Sequence, residues 1–158
     1  MSKMVTIILV LVITGIQGTV YGQSAERIDA ILAAETLSVA DAAFLAAVSA
    51  GLMDPEGDAA EALDVIASRA AEREHRDRFS GRDADSPVSL GEFAYLMMLT
   101  HDIAGGFWYR RVPGPRYAYR EFAHRRLVQG QSFALQQLSG ERAMRITGRV
   151  LAMREAES

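Results

Sequence analysis

Apolar residues recur at helical spacing along most of the chain after residue 24. Ser38 and Ser89 each precede such a stretch, and an acid, Asp41 or Glu92, follows three residues later, as in a helix capping box. The stretch after Ser89 is apolar almost all round, which predicts a buried helix. Beyond the N-terminal apolar run, apolar and polar residues do not alternate strictly, as they would in a half-buried β-strand. The pattern therefore predicts an all-α fold of about six helices in a compact, repeat-like bundle.

Other helix boundaries follow from capping residues and helix breakers. Ser24, Asp58 and Ser139 are predicted to begin helices, since each is a favoured N-cap before a periodic stretch. The segment 105–115 holds three glycines and two prolines and is predicted to be an irregular loop. A short helix is predicted from Tyr119 to Val128.

Two of the predicted helix starts align at an offset of 51 residues. Residues 37–52 match residues 88–103 in the order apolar, Ser, apolar, small, acid, and the match continues into the helix. Leu138 and Ser139 form a weaker third copy. Periods of this length are typical of stacked helical units. Capped amphipathic helices also resemble one another by necessity, so both duplication and chance similarity stay open.

The two aligned starts resemble those of S-layer homology modules, which are helical units of exported proteins that hold them to cell-wall polymers. Such modules open a helix with a Thr-Arg-Ala-Glu motif. Ser38-Val39-Ala40-Asp41 and Ser89-Leu90-Gly91-Glu92 match its hydroxyl and acid positions. Val39 and Leu90 stand where the motif has arginine. The resemblance implies a helical module of the cell envelope, without the motif's arginine.

The second half of the chain resembles a segment of spirochaetal envelope proteins in which helical modules precede an OmpA-like domain. The residues that carry this resemblance are Gly105–Arg110, Pro113–Glu121 and Leu138–Arg142. Together with the aligned helix starts, it covers residues 36 to 152. It implies a location in the envelope and no particular activity.

The N-terminus has the layout of a secretory signal peptide. Lys3 precedes an apolar run over Val5–Ile16, and small residues follow up to a cleavage position before Gln23. The run is shorter than the roughly 20 apolar residues of a spanning helix. We predict a signal peptide at 1–22 and one exported helical domain at 23–158, periplasmic or envelope-associated. A retained membrane anchor is the alternative, and only then would the protein contact a membrane through this segment.

Composition adds a charge asymmetry. The chain has no cysteine, which excludes disulfides and cysteine metal sites, and Lys3 is its single lysine. Residues 26–102 carry sixteen acids and six arginines, net −10, whereas residues 103–158 carry four acids and ten arginines, net +6. Either the two halves pack on each other or the basic half meets an anionic partner.

Candidate chemistry concentrates where aromatic residues and arginines alternate. Aromatic faces stack on sugar rings and guanidinium groups bind carboxylates or phosphates, so this segment is a candidate site for a ligand or partner. The alternative is that the segment covers the core and satisfies itself internally. The candidate binding residues are Trp108, Tyr109, Arg110, Arg111, Arg116, Tyr117, Tyr119 and Arg120.

No catalytic or metal constellation emerges from the sequence. The three histidines lack metal-ligand spacing; we expect His75 to be solvated and His101 to cap the buried helix. Glu92 and Asp102 are the acids that a small wall-active hydrolase would need, but both are explained by helix ends. We therefore predict a non-enzymatic protein without cofactor or metal.

The function predicted from the sequence is binding of cell-wall glycan or an envelope protein, with no nucleic acid partner. Glycan binding predicts that Trp108 and Arg116 are exposed and adjacent. The alternative is a structural subunit of an envelope assembly, which forms a homo-oligomer or joins a larger machine. This alternative predicts an exposed apolar patch or a fit between the acidic and basic halves. A wall-active hydrolase is the third hypothesis.

Overall fold

A computed structural model describes residues 25–75, 78–79 and 81–158, so the predicted signal peptide at 1–22 lies outside the described residues. This part of the chain is all-α, as predicted, with seven helices rather than about six. Their bounds are α1 at 25–33, α2 Val39–Ser49, α3 Ala59–Glu72, α4 Leu90–Thr100, α5 Phe107–Arg111, α6 Pro115–His124 and α7 Gly140–Glu157.

Three inner helices, α2, α4 and α7, contact one another and form the centre of the fold. α3 packs on α2, and α6 packs on α4. α1 meets α7 where the N–H of Gly140 donates to the carbonyl of Ala34 at 2.9 Å. Nearly every residue of α4 is buried, as expected for a helix that is apolar all round. The buried residues of these helices form one hydrophobic core.

The three inner helices are joined just before their N-termini by a closed ring of backbone hydrogen bonds. Leu37 N–H donates to Leu138 O at 2.7 Å, Leu138 N–H to Val88 O at 3.3 Å, and Val88 N–H to Leu37 O at 2.9 Å. All three side chains are fully buried. Each residue therefore holds the same position about an approximate threefold axis. The weaker third copy at Leu138 and Ser139 thus takes the same place as the two segments aligned in sequence. A common origin of the three segments stays a prediction.

The serine after each ring residue caps the inner helix that follows. The hydroxyl groups of Ser38, Ser89 and Ser139 accept from the N–H three residues on, at 3.1, 3.3 and 3.4 Å. Glu92 completes a capping box by accepting from the Ser89 N–H at 2.8 Å. Asp58 caps α3 in the same way. The predicted caps at these four positions are confirmed, because each satisfies an N–H that the helix leaves without a partner.

Close packing dictates the residue at the start of α7. A Cβ on Gly140 would overlap the carbonyl oxygen of Ile31 in α1. The equivalent first positions of the other inner helices, Val39 and Leu90, are fully buried apolar side chains. An arginine at any of these positions would be buried without room for its charge. Within the described residues, no helix is long and apolar enough to cross a membrane.

The two expectations about residues 105–128 were wrong in detail. The predicted loop at 105–115 contains the five-residue helix α5, and α6 begins at Pro115, four residues before the predicted helix at Tyr119–Val128. Proline is well suited to the first turn of a helix, where its missing N–H costs nothing. α6 ends at His124, because Arg126 adopts a positive φ of 58°.

Candidate functional site

The arginine–aromatic segment forms a helical hairpin on the surface of α4. Glycines sit at both of its turns: Gly106 is the N-cap of α5 and Gly114 is the N-cap of α6. Gly105 lies against the Tyr109 ring so closely that a Cβ would overlap it. The Tyr109 side chain is buried, whereas Trp108, the residue before it, lies on the solvent side of this short helix.

The exposed Trp108 and the half-buried Tyr117 form an aromatic pair across the hairpin. The two rings are nearly parallel, at 12°, with centroids 6.4 Å apart, and Phe107 packs edge-on against Trp108 at 5.4 Å. Trp108 is 57% exposed. An aromatic ring as exposed as that of Trp108 is typical of a recognition surface.

These rings line a cavity of about 300 Å³ together with one face of α6. Tyr117, Arg120, Glu121 and His124 lie at i, i+3, i+4 and i+7, so their side chains share that face. Gly106 closes the rim beside the Glu121 carboxyl. The cavity thus combines a flat aromatic wall with a guanidinium, a carboxyl and an imidazole, which suits a ring that carries hydroxyl and charged groups.

The sequence interpretation identified Trp108, Tyr117 and Arg120 but missed Glu121 and His124 as lining residues. Their helical spacing from Tyr117 was the available signal, and it was hidden because the helix was predicted to begin too late. Arg116, expected beside Trp108, is also exposed but lines a different cavity with Pro115. The guanidinium in the cavity that Trp108 lines is therefore that of Arg120.

Two other candidate residues serve the fold. Tyr109 is buried and its hydroxyl has no hydrogen-bond partner among the described residues. Burial, with the neighbouring Tyr95 hydroxyl, raises the pKa of Tyr109. The Tyr119 hydroxyl donates to Ser132 O at 2.5 Å and fastens the segment before α7 to α6. For these two tyrosines the core-covering interpretation describes the structure.

The arginines of the segment, by contrast, lie on the surface. Arg110, Arg111, Arg116 and Arg120 are exposed, and none forms an ion pair with an acid in the part of the chain that the structure describes. Four unpaired guanidinium groups on one hairpin create a local positive potential that attracts anionic groups.

Among the described residues, no ion pair joins the acidic half of the chain to the basic half. Arg69 and Arg73 both bind Asp102 within the acidic half, and Arg82 binds Glu92 there at 2.5 Å. In residues 25–75, 78–79 and 81–158, each ion pair joins two groups of the same half. The positive balance of residues 103–158 is therefore left for the solvent or for a partner.

Burial lowers the pKa of two histidines. The pKa of His101, the C-cap of α4, is lowered to about 4 by burial and then by Arg154, and its Nε2 lies 2.9 Å from the Ser49 hydroxyl. His75 was expected to be solvated; it is half-buried, stacks on Tyr95, and has its pKa lowered by burial and by Arg73. Neither imidazole lies in the cavity formed by Trp108 and Tyr117.

The two acids considered for hydrolysis are engaged elsewhere. Glu92 caps α4 and pairs with Arg82, and Asp102 ends the same helix at a φ of 56° between Arg69 and Arg73. No group of three or more histidines and acids among the described residues is placed to hold a metal ion.

Comparison of the chain with protein-family models, with curated proteins and with solved structures found no match.

Proposed function

We propose that this protein is an exported, non-enzymatic cell-envelope protein that binds cell-wall glycan through the cavity formed by Trp108, Tyr117 and Arg120. The observation that supports the proposal is the nearly parallel pair of the exposed Trp108 and the half-buried Tyr117 beside the exposed Arg120 guanidinium. A sugar ring stacks on an aromatic face through its C–H groups, while its substituents need hydrogen bonds and charge at the edge. The cavity offers both kinds of contact.

Anionic peptidoglycan is the glycan that this chemistry suits best. The lactyl and peptide carboxylates of peptidoglycan would accept from the Arg120 guanidinium, which forms two parallel hydrogen bonds to a carboxylate more readily than an ammonium does. Glu121 can accept from sugar hydroxyl or amide groups in the same cavity. The net charge of +6 over residues 103–158 would favour approach to an anionic wall at low ionic strength.

Co-sedimentation with purified peptidoglycan sacculi tests the proposal. The chain 23–158 is compared with Trp108→Ala/Arg120→Ala and with Arg145→Ala, which removes an exposed guanidinium from α7, outside the cavity. We expect saturable binding by the wild type and by Arg145→Ala, and at least about tenfold weaker binding by the double variant, since each loss removes a direct contact.

Each variant is first checked for native helix content by circular dichroism. Failure of the folded wild type to sediment with sacculi would contradict peptidoglycan binding. Equal binding by the double variant would move the site away from this cavity. Loss of binding in Arg145→Ala as well would indicate diffuse charge attraction rather than a site.

The structural-subunit alternative also has a specific observation in its favour. Phe133 and Leu135 are large apolar side chains left exposed beside α6. An exposed apolar pair of this kind indicates a surface that meets another molecule. Analytical ultracentrifugation of the chain 23–158 tests self-association, for which a single monomeric species would be the contrary result.

A further inference from the structure

The turn before α7 presents apolar side chains where its structural equivalent presents acids. In residues 131–136, Gln136 N–H donates to Phe133 O at 3.1 Å; in residues 81–86, Ser86 N–H donates to Asp83 O at 3.1 Å. The two turns are related by the approximate threefold arrangement, 50 residues apart. Phe133 corresponds to Asp83 and Leu135 to Asp85.

The backbone contacts of the two turns match one by one. Ala134 O and Gln136 O accept from the first two N–H groups of α4 at 2.8 Å, while Ala84 O and Ser86 O accept from those of α2 at 3.0 and 2.9 Å. In each turn, the carbonyl groups of alternate residues therefore face the fold, and the side chains of the residues between these face outward. The fold accepts acids at these outward positions, so it does not itself require Phe133 and Leu135 to be apolar.

The two side chains are among the most exposed apolar residues of the described chain. Leu135 is 83% exposed and Phe133 is 63% exposed. The turn is fixed by its bonds to α4 and by the Tyr119 hydroxyl bonded to Ser132, so these side chains are held outward by a well-anchored backbone. Exposure of both side chains to water forgoes the free energy that their burial would provide. A binding surface regains this free energy when a partner covers it.

From this arrangement we propose that the turn 131–136, with Arg116, inserts into the surface of an anionic lipid bilayer. Phe133, Leu135 and Arg116 line one cavity of about 540 Å³, together with Pro115 and Ala134, and no acid lines it. Aromatic and leucine side chains enter the boundary between headgroups and acyl chains, and a neighbouring arginine pairs with lipid phosphate. The turn belongs to the basic half of the chain, whose net charge is +6.

Charge and size favour a bilayer over a protein as the occupant. Two side chains on one turn make a patch far smaller than the roughly 1,200 Å² that a stable protein interface buries. The same two side chains suffice for weak, reversible attachment to a membrane when cations assist them. The predicted export signal or anchor at 1–22 would deliver the domain to a compartment bounded by a membrane. The inference does not depend on glycan binding, because the two sites use different side chains.

Vesicle co-sedimentation of the chain 23–158 tests the inference without the apolar N-terminal run. Vesicles of phosphatidylethanolamine with phosphatidylglycerol are compared with neutral phosphatidylcholine vesicles. The variant Phe133→Asp/Leu135→Asp gives the turn the acids of its equivalent, which the same backbone geometry already carries at Asp83 and Asp85. We expect it to fold normally and to bind the anionic vesicles at least about tenfold more weakly than the wild type.

A matched pair of single variants separates apolar contact from added charge. Leu135→Asp and Leu151→Asp make the same substitution at two exposed leucines, and Leu151 lies on α7. We expect weakened binding for Leu135→Asp and wild-type binding for Leu151→Asp. Equal losses in both would overturn the inference in favour of general charge repulsion.

Three further results would also overturn it: no binding of the wild type to anionic vesicles, equal binding to neutral vesicles, or unchanged binding by Phe133→Asp/Leu135→Asp. Sedimentation equilibrium distinguishes the remaining case. If the wild type is a dimer that the double variant converts to a monomer, the turn is an interface between copies of this chain and the lipid proposal is wrong.

Discussion

Protonation of His101 should destabilise the fold between pH 6.5 and about 4. His101 is the C-cap residue of α4 and is 7% exposed, and its Nε2 lies 2.9 Å from the Ser49 hydroxyl. Burial, and next the Arg154 guanidinium, lower its pKa from 6.5 to about 4, so the native protein keeps it neutral throughout this interval. The unfolded chain takes up the proton at pH 6.5. The free energy of unfolding is therefore not reduced by this group above pH 6.5, and it falls as the pH is lowered from 6.5 to about 4.

The size of the effect follows from the interval between the two pKa values. Each pH unit in which only the unfolded chain binds the proton costs 1.36 kcal/mol, so the interval from 6.5 to about 4 corresponds to about 3 kcal/mol. The assay is urea unfolding, followed by circular dichroism, of the wild type and His101→Gln across this range. Glutamine can still hydrogen-bond to Ser49 but does not titrate, and the contributions of the carboxylates cancel in the comparison.

Between pH 6.5 and 4, we expect the free energy of unfolding of the wild type to fall by about 3 kcal/mol more than that of His101→Gln. Below pH 4, the two plots of this free energy against pH should run parallel. An NMR titration of the ring protons of His101 should give a midpoint near 4. Parallel curves over the whole range, or a midpoint near 6.5, would refute the argument that burial holds this imidazole neutral.

Three stability predictions follow from the packing. Gly140→Ala should lower the free energy of unfolding by more than about 3 kcal/mol, because its Cβ overlaps the Ile31 carbonyl; a urea midpoint close to that of the wild type would contradict the close approach. Ser89→Ala should cost about 1 kcal/mol by removing the cap that accompanies Glu92, and equal stability would contradict the capping box. Tyr119→Phe should cost about 1 kcal/mol in the same assay, since its hydroxyl anchors the turn before α7; no loss would assign that hydroxyl to the solvent.

The helix starts were predictable from the sequence because capping is a local interaction. Ser38, Ser89 and Ser139 each sit one residue before a periodic stretch, and the acid three residues after Ser89 completes its box. The all-α fold followed from the same signals. By contrast, proline and glycine suggested a loop around α5, although Pro115 is well suited to begin a helix.

The ring of Leu37, Val88 and Leu138 could not be predicted, since hydrogen bonds between segments about 50 residues apart depend on how the helices pack. Burial of His75 against Tyr95 was missed for a related reason: the charged run around it indicates solvent, whereas the aromatic cluster forms only in three dimensions. Phe133 was missed because a single exposed aromatic residue has no periodicity; only its alignment with Asp83 makes it unusual.

The candidate site was partly predictable. Alternating aromatic residues and arginines indicated the segment, in which Trp108 is exposed and Tyr117 is half-buried. The sequence could not show which arginine shares their cavity, because Arg116 and Arg120 differ only in the face of α6 that they occupy.

The most direct test of glycan binding uses Trp108, the only tryptophan of the chain, as a reporter within the proposed site. Its fluorescence is followed while soluble peptidoglycan fragments are added to the chain 23–158, to Arg120→Ala and to Arg145→Ala. We predict a saturable shift of the emission to shorter wavelengths in the wild type and in Arg145→Ala, and a shift that requires at least about tenfold more ligand in Arg120→Ala. Unchanged emission from the folded wild type, or the same titration curve for Arg120→Ala, would contradict the proposed site.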